Sequence, residues 1–449
     1  MPRYWFRCDR AAEVNDQTGA CSESSVLGRE VFSLDGSEHP PPHIMKLSVP
    51  CTFEPGSIDR LCAFASVAEV YGRREGGWIG SGRTSYTLRH ASRAEFQKTL
   101  AACVKHGIAY NYLLNASSLH GMEQTRAGQR RIRATLDGLC SDGIVWVTVA
   151  LPWLLELIRR SYPSLKVKIG VFAQIDTAEK ARQWEALGAH ALCISAIACN
   201  RDFETLAAMR ASVTCDLQLI ANAACTPFCL WEHTHMDLLT SSSRRGDPHG
   251  GLCLDYCYLK CSSARLREPV RFIRSVWIRP EDLAVYEALG YTWFKIVERS
   301  CPTELLIRRV AAYDSRRFDG NLWELVGPVA RVPLQPSTPL SMTLRAVKSS
   351  LRPWEMNPRR LKDIAEYAAA TLVRETSPDK APVYIDNRAL DGFVDALKQR
   401  GCTPASCGEC DHCAQVAQRV VRMDPHFREE TLARAGSIAD GLYDGSLWW

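Results

Sequence analysis

The chain lacks any apolar run approaching the roughly 18 residues that a membrane-spanning helix needs, so no such span is expected. Its first 45 residues hold no apolar core of the kind a secretory leader carries. Lysine is scarce, at 12 of the 55 basic residues, no long basic run occurs, and the net charge of +5 is mild for 449 residues. Charge alone therefore gives no argument for a nucleic-acid partner. No Gly-x-Gly-x-x-Gly follows the first apolar segment, which counts against a dinucleotide site. Neither a His-Glu-x-x-His motif nor a Ser-His-Asp order stands out. What the chain has in excess is cysteine, 19 residues of it. An odd count in a long chain without a leader excludes a disulfide scaffold and leads us to expect a reducing, cytoplasmic setting.

Residues 1–44 are polar, rich in turn formers from Asp35 to His43, and free of any period of 2 or 3.6. We expect a disordered extension or a start-site artefact there, with the patterned chain beginning at Met45. From that point short apolar segments recur at Lys46–Val49, Val67–Tyr71, Ile108–Leu113, Ile144–Val149, Val167–Phe172, Ala191–Ser195, Asp216–Ala221 and Thr292–Val297. Amphipathic segments of helix length separate them, among them Arg93–His106 and Thr125–Cys140. Gly107, Gly143 and Gly188 stand where a helix stops and a strand follows. Alternation of this kind means parallel strands joined by crossover helices. Eight strands predict a (β/α)8 TIM-like barrel over 45–326; the competing arrangement is an open doubly wound sheet. Prolines at 328, 333, 336 and 339 predict a linker over 327–345. Residues 346–449 then form a smaller C-terminal module with a cysteine-rich motif, a helix near Pro358–Glu375 and a strand at Val383–Ile385.

Two groups of cysteines carry chemistry. After the seventh strand come Cys225-x3-Cys229 and Cys257-x3-Cys261. An i, i+4 spacing puts two thiols on one face of a helical turn, and two such pairs can meet around one metal or cluster. Cys253 and Cys301 are spare ligands, and His233, His235 and His249 lie in the intervening loop. Ligands after a barrel strand sit at the face where barrel active sites occur, which favours a working cofactor over a structural ion. The second group is Cys402-x4-Cys407-x2-Cys410-x2-Cys413, whose dense spacing suits an iron–sulfur cluster. His412 could replace one thiolate in a zinc site. Isolated cysteines such as Cys62, Cys103, Cys140 and Cys193, and also Cys51, read as small core residues.

Polar residues also follow the strands: Gly80-Ser-Gly82-Arg83, Asn111, Asn115, His120, Gln174, Asp176, Asn200-Arg201-Asp202, Asn222, Glu298 and Arg299. Placed together on one face they predict a polar pocket, with Arg83 and Arg201 as clamps for an anionic group and Asn115, Asn200 and Asn222 as further substrate contacts. Asp202 has a simpler role open to it as a helix cap.

The stretch from Met45 to about Val326 resembles the collagenase-like peptidase family called U32. The resemblance rests on Lys46-Leu-Ser-Val-Pro50, Tyr71-Gly72, Gly80-x-Gly82-Arg83, Asn111-Tyr112-Leu-Leu-Asn115 and Asn200-Arg201-Asp202-Phe203. It continues through the two cysteine pairs, Phe272-Ile-Arg274-Ser275-x-Trp277-Ile278-Arg279-Pro280-Glu281-Asp282, Phe294-Lys-Ile296 and Thr303-Glu304. Tyr384-Ile385-Asp386-Asn387 and the terminal cysteine run look like an extended branch. The resemblance implies a barrel and either a collagenase-like peptidase or an oxygen-independent hydroxylating enzyme. The second kind acts on a small molecule, a peptide or an RNA base, with a [4Fe–4S] cluster on Cys225, Cys229, Cys257 and Cys261. A second cluster, or zinc, would sit on Cys402, Cys407, Cys410 and Cys413. Many members carry glycine where this chain has Glu298, which puts a conventional pocket in doubt. An electron donor such as ferredoxin and a heteromeric partner are expected with the cluster reading. A non-enzymatic metal-binding subunit is the remaining alternative.

Overall fold

The structure is a computed structural model that describes residues 45–247, 251, 253–329, 357–373, 381–402, 407 and 410–448. The extension at 1–44 and most of the expected linker at 327–345 lie outside the described residues.

Eight parallel strands close into a barrel: β1 Lys46–Pro50, β2 Val67–Gly72, β3 Ala109–Leu114, β4 Trp146–Val149, β5 Lys166–Ile169, β6 Ala191–Cys193, β7 Asp216–Ile220 and β8 Trp293–Lys295. Each pairs with its sequence neighbour, and β8 closes onto β1 through Leu47↔Phe294 and Ser48↔Lys295. The barrel rather than the open sheet is thus the fold. All eight apolar segments became strands; β1 and β2 run one residue further than expected, β3 is displaced by one, and the later five end at or before the expected residue.

The local signals explain the frame. Helix Arg93–Lys105 starts at a full capping box, in which the Ser92 side chain accepts from the Glu95 N–H and Glu95 answers the Ser92 N–H. The chain leaves it through Gly107 at φ +67°, a conformation that favours glycine. Leucine, isoleucine and valine side chains between strands and helices, such as Leu136, Leu154, Ile158 and Leu206, form the main core.

The barrel interior is polar at its centre. Glu69 accepts from Ser48 Oγ at 2.7 Å, from Asn111 Nδ2 at 2.9 Å, and from Lys168 Nζ at 2.8 Å on both oxygens. Asn111 also accepts from Thr148 Oγ1 at 2.7 Å, and Lys168 Nζ lies 3.6 Å from the centroid of the Trp293 ring. Every member is buried. Burial pushes the Lys168 amine below the usual lysine range, and Glu69 acts against that. Asn111, expected after the third strand, stands inside β3 and belongs to this network.

The C-terminal part packs on the barrel's own core. Strand β9 Val383–Ile385 pairs antiparallel with β10 Val421–Met423, flanked by helices Pro358–Thr371, Phe393–Arg400, His412–Val420 and Pro425–Tyr443. Val383, Ile385, Phe393, Val416 and Val420 share one apolar cluster with the barrel's Leu322 and Trp277. Asn321 closes the join: its Nδ2 donates to Val383 O at 2.8 Å, and its Oδ1 accepts from Ile385 N at 2.9 Å. Two of the motifs behind the resemblance meet here. Arg279 forks onto both Asp282 oxygens at 2.8 Å and donates to Asn387 O at 2.8 Å, while Asn387 Nδ2 donates to Glu281 at 3.0 Å.

Candidate metal centre

The first cysteine group forms at the C-terminal face of the barrel. Cys257 and Cys261 lie one turn apart on helix Tyr256–Arg267, whose N-terminus is capped by Asp255 accepting from the Tyr258 N–H. The expectation of a helical turn fails for the other pair. Cys225 and Cys229 stand in an irregular loop, where Phe228 takes φ +49° and Pro227 interrupts any helical hydrogen-bond ladder. Val276 N holds that loop through Cys225 O at 3.0 Å.

Each of the four thiols lies within electrostatic reach of at least two of the others. Cys229 and Cys261 act on both Cys225 and Cys257. Cys225 is exposed, Cys229 and Cys261 are partly buried, and Cys257 is buried. Among the described residues no three His, Cys, Asp or Glu side chains are spaced as an assembled metal site. Burial pushes the Cys257 thiol up to about 12, with Asp255 and the neighbouring thiols adding to it.

One residue ties the two pairs together. Arg265, one turn past Cys261, donates Nη2 to Cys261 Sγ at 3.4 Å and Nη1 to Ala224 O at 2.6 Å, next to Cys225. It is buried, and the surrounding sulfur and phenol groups hold its charge in place against that burial. Arg265 was missed in the sequence; its signal was the i, i+4 step from Cys261. A thiol set backed by a buried cation fits a group that needs thiolates, because metal binding releases their protons and leaves negative charge to be balanced. A cavity of about 280 Å³ lies on the far side of Arg265, lined by Phe272, Trp323, Thr371 and Phe427 among others. His235 Nε2 lies 3.0 Å from Asp255 Oδ2 beside the group. Cys301 is buried and Cys253 partly buried, and His249 lies outside the described residues.

The second group is the rim of the C-terminal part. Cys402, Cys410 and Cys413 are partly buried and Cys407 is exposed. Cys402 and Cys413 sit within electrostatic reach of Arg201. His412 stacks on Phe393, 5.8 Å between ring centroids, and its Nε2 is buried with no hydrogen-bond partner.

The polar residues expected to bind substrate divide. Asn200 Nδ2 donates to Ile220 O and Val276 O, both at 2.8 Å. Asn222 donates to Val297 O at 3.1 Å and accepts from Val297 N at 2.6 Å. Arg201 donates to Ser275 O at 2.6 Å and lies over the rings of Trp277 and Phe393, at 4.5 and 5.2 Å. Backbone groups and aromatic faces engage these three side chains and so hold loops together, while Asn200 Oδ1 and Arg201 Nε stay buried without a hydrogen-bond partner. Asp202 caps its helix through Thr205 N at 2.9 Å, the simpler of its two readings. The Gly80-Ser-Gly82 loop is no open cradle either. Ser81 N donates to Ser243 Oγ, and a Cβ on Gly80 would stand 2.4 Å from Thr240 O. Asn115 is buried with its Oδ1 unpartnered, and Arg83 donates to Glu298 Oε2 at 2.6 Å.

No family model matches the chain. A curated relative does: the uncharacterized protease MJ1657 of Methanocaldococcus jannaschii is 27% identical over 346 residues, which is 77% of this chain and 86% of the relative. Together with the motif series, this relative supports an assignment to the peptidase U32 family. Among solved structures, the U32 peptidase Mk0906 aligns with 21% identity and a TM-score of 0.42, over 60% of this chain and 95% of that one. Among the described residues no helix is long and apolar enough to cross a membrane.

Proposed function

We propose that this chain is an iron–sulfur enzyme of the U32 kind that carries out oxygen-independent hydroxylation or a related atom transfer on a small molecule, a peptide or an RNA base. The observation that carries the reading is the convergence of Cys225, Cys229, Cys257 and Cys261 at the barrel's C-terminal face, bridged by the buried Arg265. These cysteines would hold a [4Fe–4S] cluster, which would supply electron transfer. The chain's own contribution is charge and access. Arg265 balances thiolate charge from the buried side, and the exposed Cys225 marks the side open to solvent. Cys402, Cys407, Cys410 and Cys413 would hold a second cluster or zinc, with the unpartnered Nε2 of His412 able to replace one thiolate in the zinc case. A ferredoxin-like donor or a partner subunit would deliver electrons, and the setting is the reducing cytoplasm.

The second reading is a peptidase, as the relative's name says of that protein. The His235–Asp255 pair beside Cys257 is what favours it, since a nucleophilic thiol needs an oriented base. Against it, the Cys257 thiol is buried and held protonated, the reverse of an activated nucleophile. Anaerobic purification separates the two. Brown protein with iron and sulfide that vanish together in Cys257→Ala is the expected result. Colourless protein that cleaves a peptide library, and still does so after chelation, would replace this reading with the peptidase.

A further inference from the structure

The cavity behind Arg265 lies where the barrel and the C-terminal part meet. Its volume of about 280 Å³ exceeds the roughly 150 Å³ at which an apolar protein cavity already takes up a benzene-sized molecule. Leu266, Phe272 and Trp323 line it from the barrel side, and Val373, Val383 and Phe427 from the C-terminal side. Phe272 and Trp323 meet edge to face, 4.9 Å between centroids, so each ring fixes the other. Most polar groups of the lining are bonded elsewhere. Ser262 Oγ and Tyr367 Oη are 2.7 Å apart, and Thr371 Oγ1 donates to Tyr367 O at 2.9 Å. Asn321 is bonded to Val383 O and Ile385 N, and Arg265 to Ala224 O and Cys261 Sγ. Glu324 is different. Its backbone carbonyl accepts from Arg309 Nε at 3.0 Å and Nη2 at 2.8 Å, but among the described residues its carboxylate has no hydrogen bond or ion pair. Glu324 is partly buried; burial pushes its carboxyl up, and Arg308 and Arg309 act against that.

Charge decides what such a space admits. Arg265 in one wall, with Arg308 and Arg309 near Glu324, opposes a cation, and Glu324 opposes an anion. Either ion would also have to leave water for walls that are mostly apolar. A neutral molecule bears neither cost and gains the apolar and aromatic surface. One donor group on it would meet the acceptor that Glu324 leaves unused. We propose that this cavity binds an uncharged, flat ring molecule about the size of indole, with one N–H or O–H that donates to the Glu324 carboxylate. Arg265 is the wall that this site shares with the cysteine group. The ligand therefore sits behind the thiols rather than on them, and the inference holds whichever metal those cysteines take.

The test is calorimetric titration of the full chain with indole, against tryptamine as the cationic, indole-3-acetate as the anionic and benzofuran as the donor-free counterpart. Thermal melts establish that each variant is folded. Saturable binding of indole is expected, about tenfold tighter than benzofuran, with neither ion bound. Ala370→Phe, which puts a ring into the cavity from helix Pro358–Thr371, should abolish binding. If that variant does not fold, Val373→Phe carries the same prediction. Glu324→Leu should still bind indole but bring it level with benzofuran. No binding of indole would overturn the site. So would tryptamine or indole-3-acetate binding as well as indole, or binding unchanged in a folded cavity-filling variant. A preference for indole over benzofuran that survives Glu324→Leu would overturn the role of Glu324. Iron content measured on the same samples keeps this outcome separate from that of the cluster reading.

Discussion

The two cysteine groups share a count and differ in construction. In the first, two thiols ride on one helix and the other two on a loop pinned by Val276, and Arg265 hydrogen-bonds to both halves. In the second, the nearby arginine, Arg201, makes no bond to sulfur and is held by Ser275 O, Trp277 and Phe393. The first group is therefore drawn together by the barrel's own loop and helix, although its thiols are not spaced as a metal site. The second is a rim feature whose thiols border the surface on which the C-terminal part docks. A site built into rigid elements is pre-organised for chemistry, whereas a rim site suits a clasp or a relay.

That contrast breaks most visibly at the ligands. Cys257→Ala should remove the iron of the first group entirely, whereas Cys410→Ala should leave it in place; metal analysis of both variants checks this. Next in size is the polar barrel centre. Lys168→Met strands Glu69 without its cation and should cost about 3–5 kcal/mol, read by chemical denaturation. Arg201→Met should cost less, about 1–3 kcal/mol, and act on the second group alone. Limited proteolysis should then cut near Cys402–Cys413 sooner while the iron of the first group stays.

The smallest effect serves as a control far from both groups. Ser92, through its backbone and side chain, and Arg89 hold Glu95 down to about 2. Because the folded value lies below the unfolded one, near 4.3, this support is present above about pH 4 and is lost as pH falls toward about 2. Glu95→Gln should cost about 0.5–1 kcal/mol at neutral pH, should cost less near pH 3, and should change neither metal content. Melting curves at the two pH values read it.

How much of this the sequence showed depends on the length scale of each signal. The strands were legible because apolar segments such as Val67–Tyr71 recur between capped amphipathic helices, and that pattern is local. The cysteine pairs were legible because their spacing is local too. The roles of Asn200, Asn222 and Arg201 were not, since their partners Val276, Val297 and Trp277 are 75 or 76 residues away in the chain. Glu69–Lys168, separated by 99 residues, was hidden for the same reason. Polar residues at inward positions of Val-rich strands were the available hint. Helix Pro425–Tyr443 escaped because small residues such as Ala433, Ala435, Gly436 and Gly441 blur its apolar stripe. Glu298 was noticed as a departure from the family, but only its positive φ and its bond to Arg83 give that departure a physical meaning.

The central claim is that the first cysteine group holds an iron–sulfur cluster on its own. The direct measurement is the iron and acid-labile sulfide content of anaerobically prepared protein in which Cys402, Cys407, Cys410 and Cys413 are all serine. The account predicts about four iron and four sulfide per chain, with a broad absorption near ~400 nm. A folded, colourless protein with neither would contradict it.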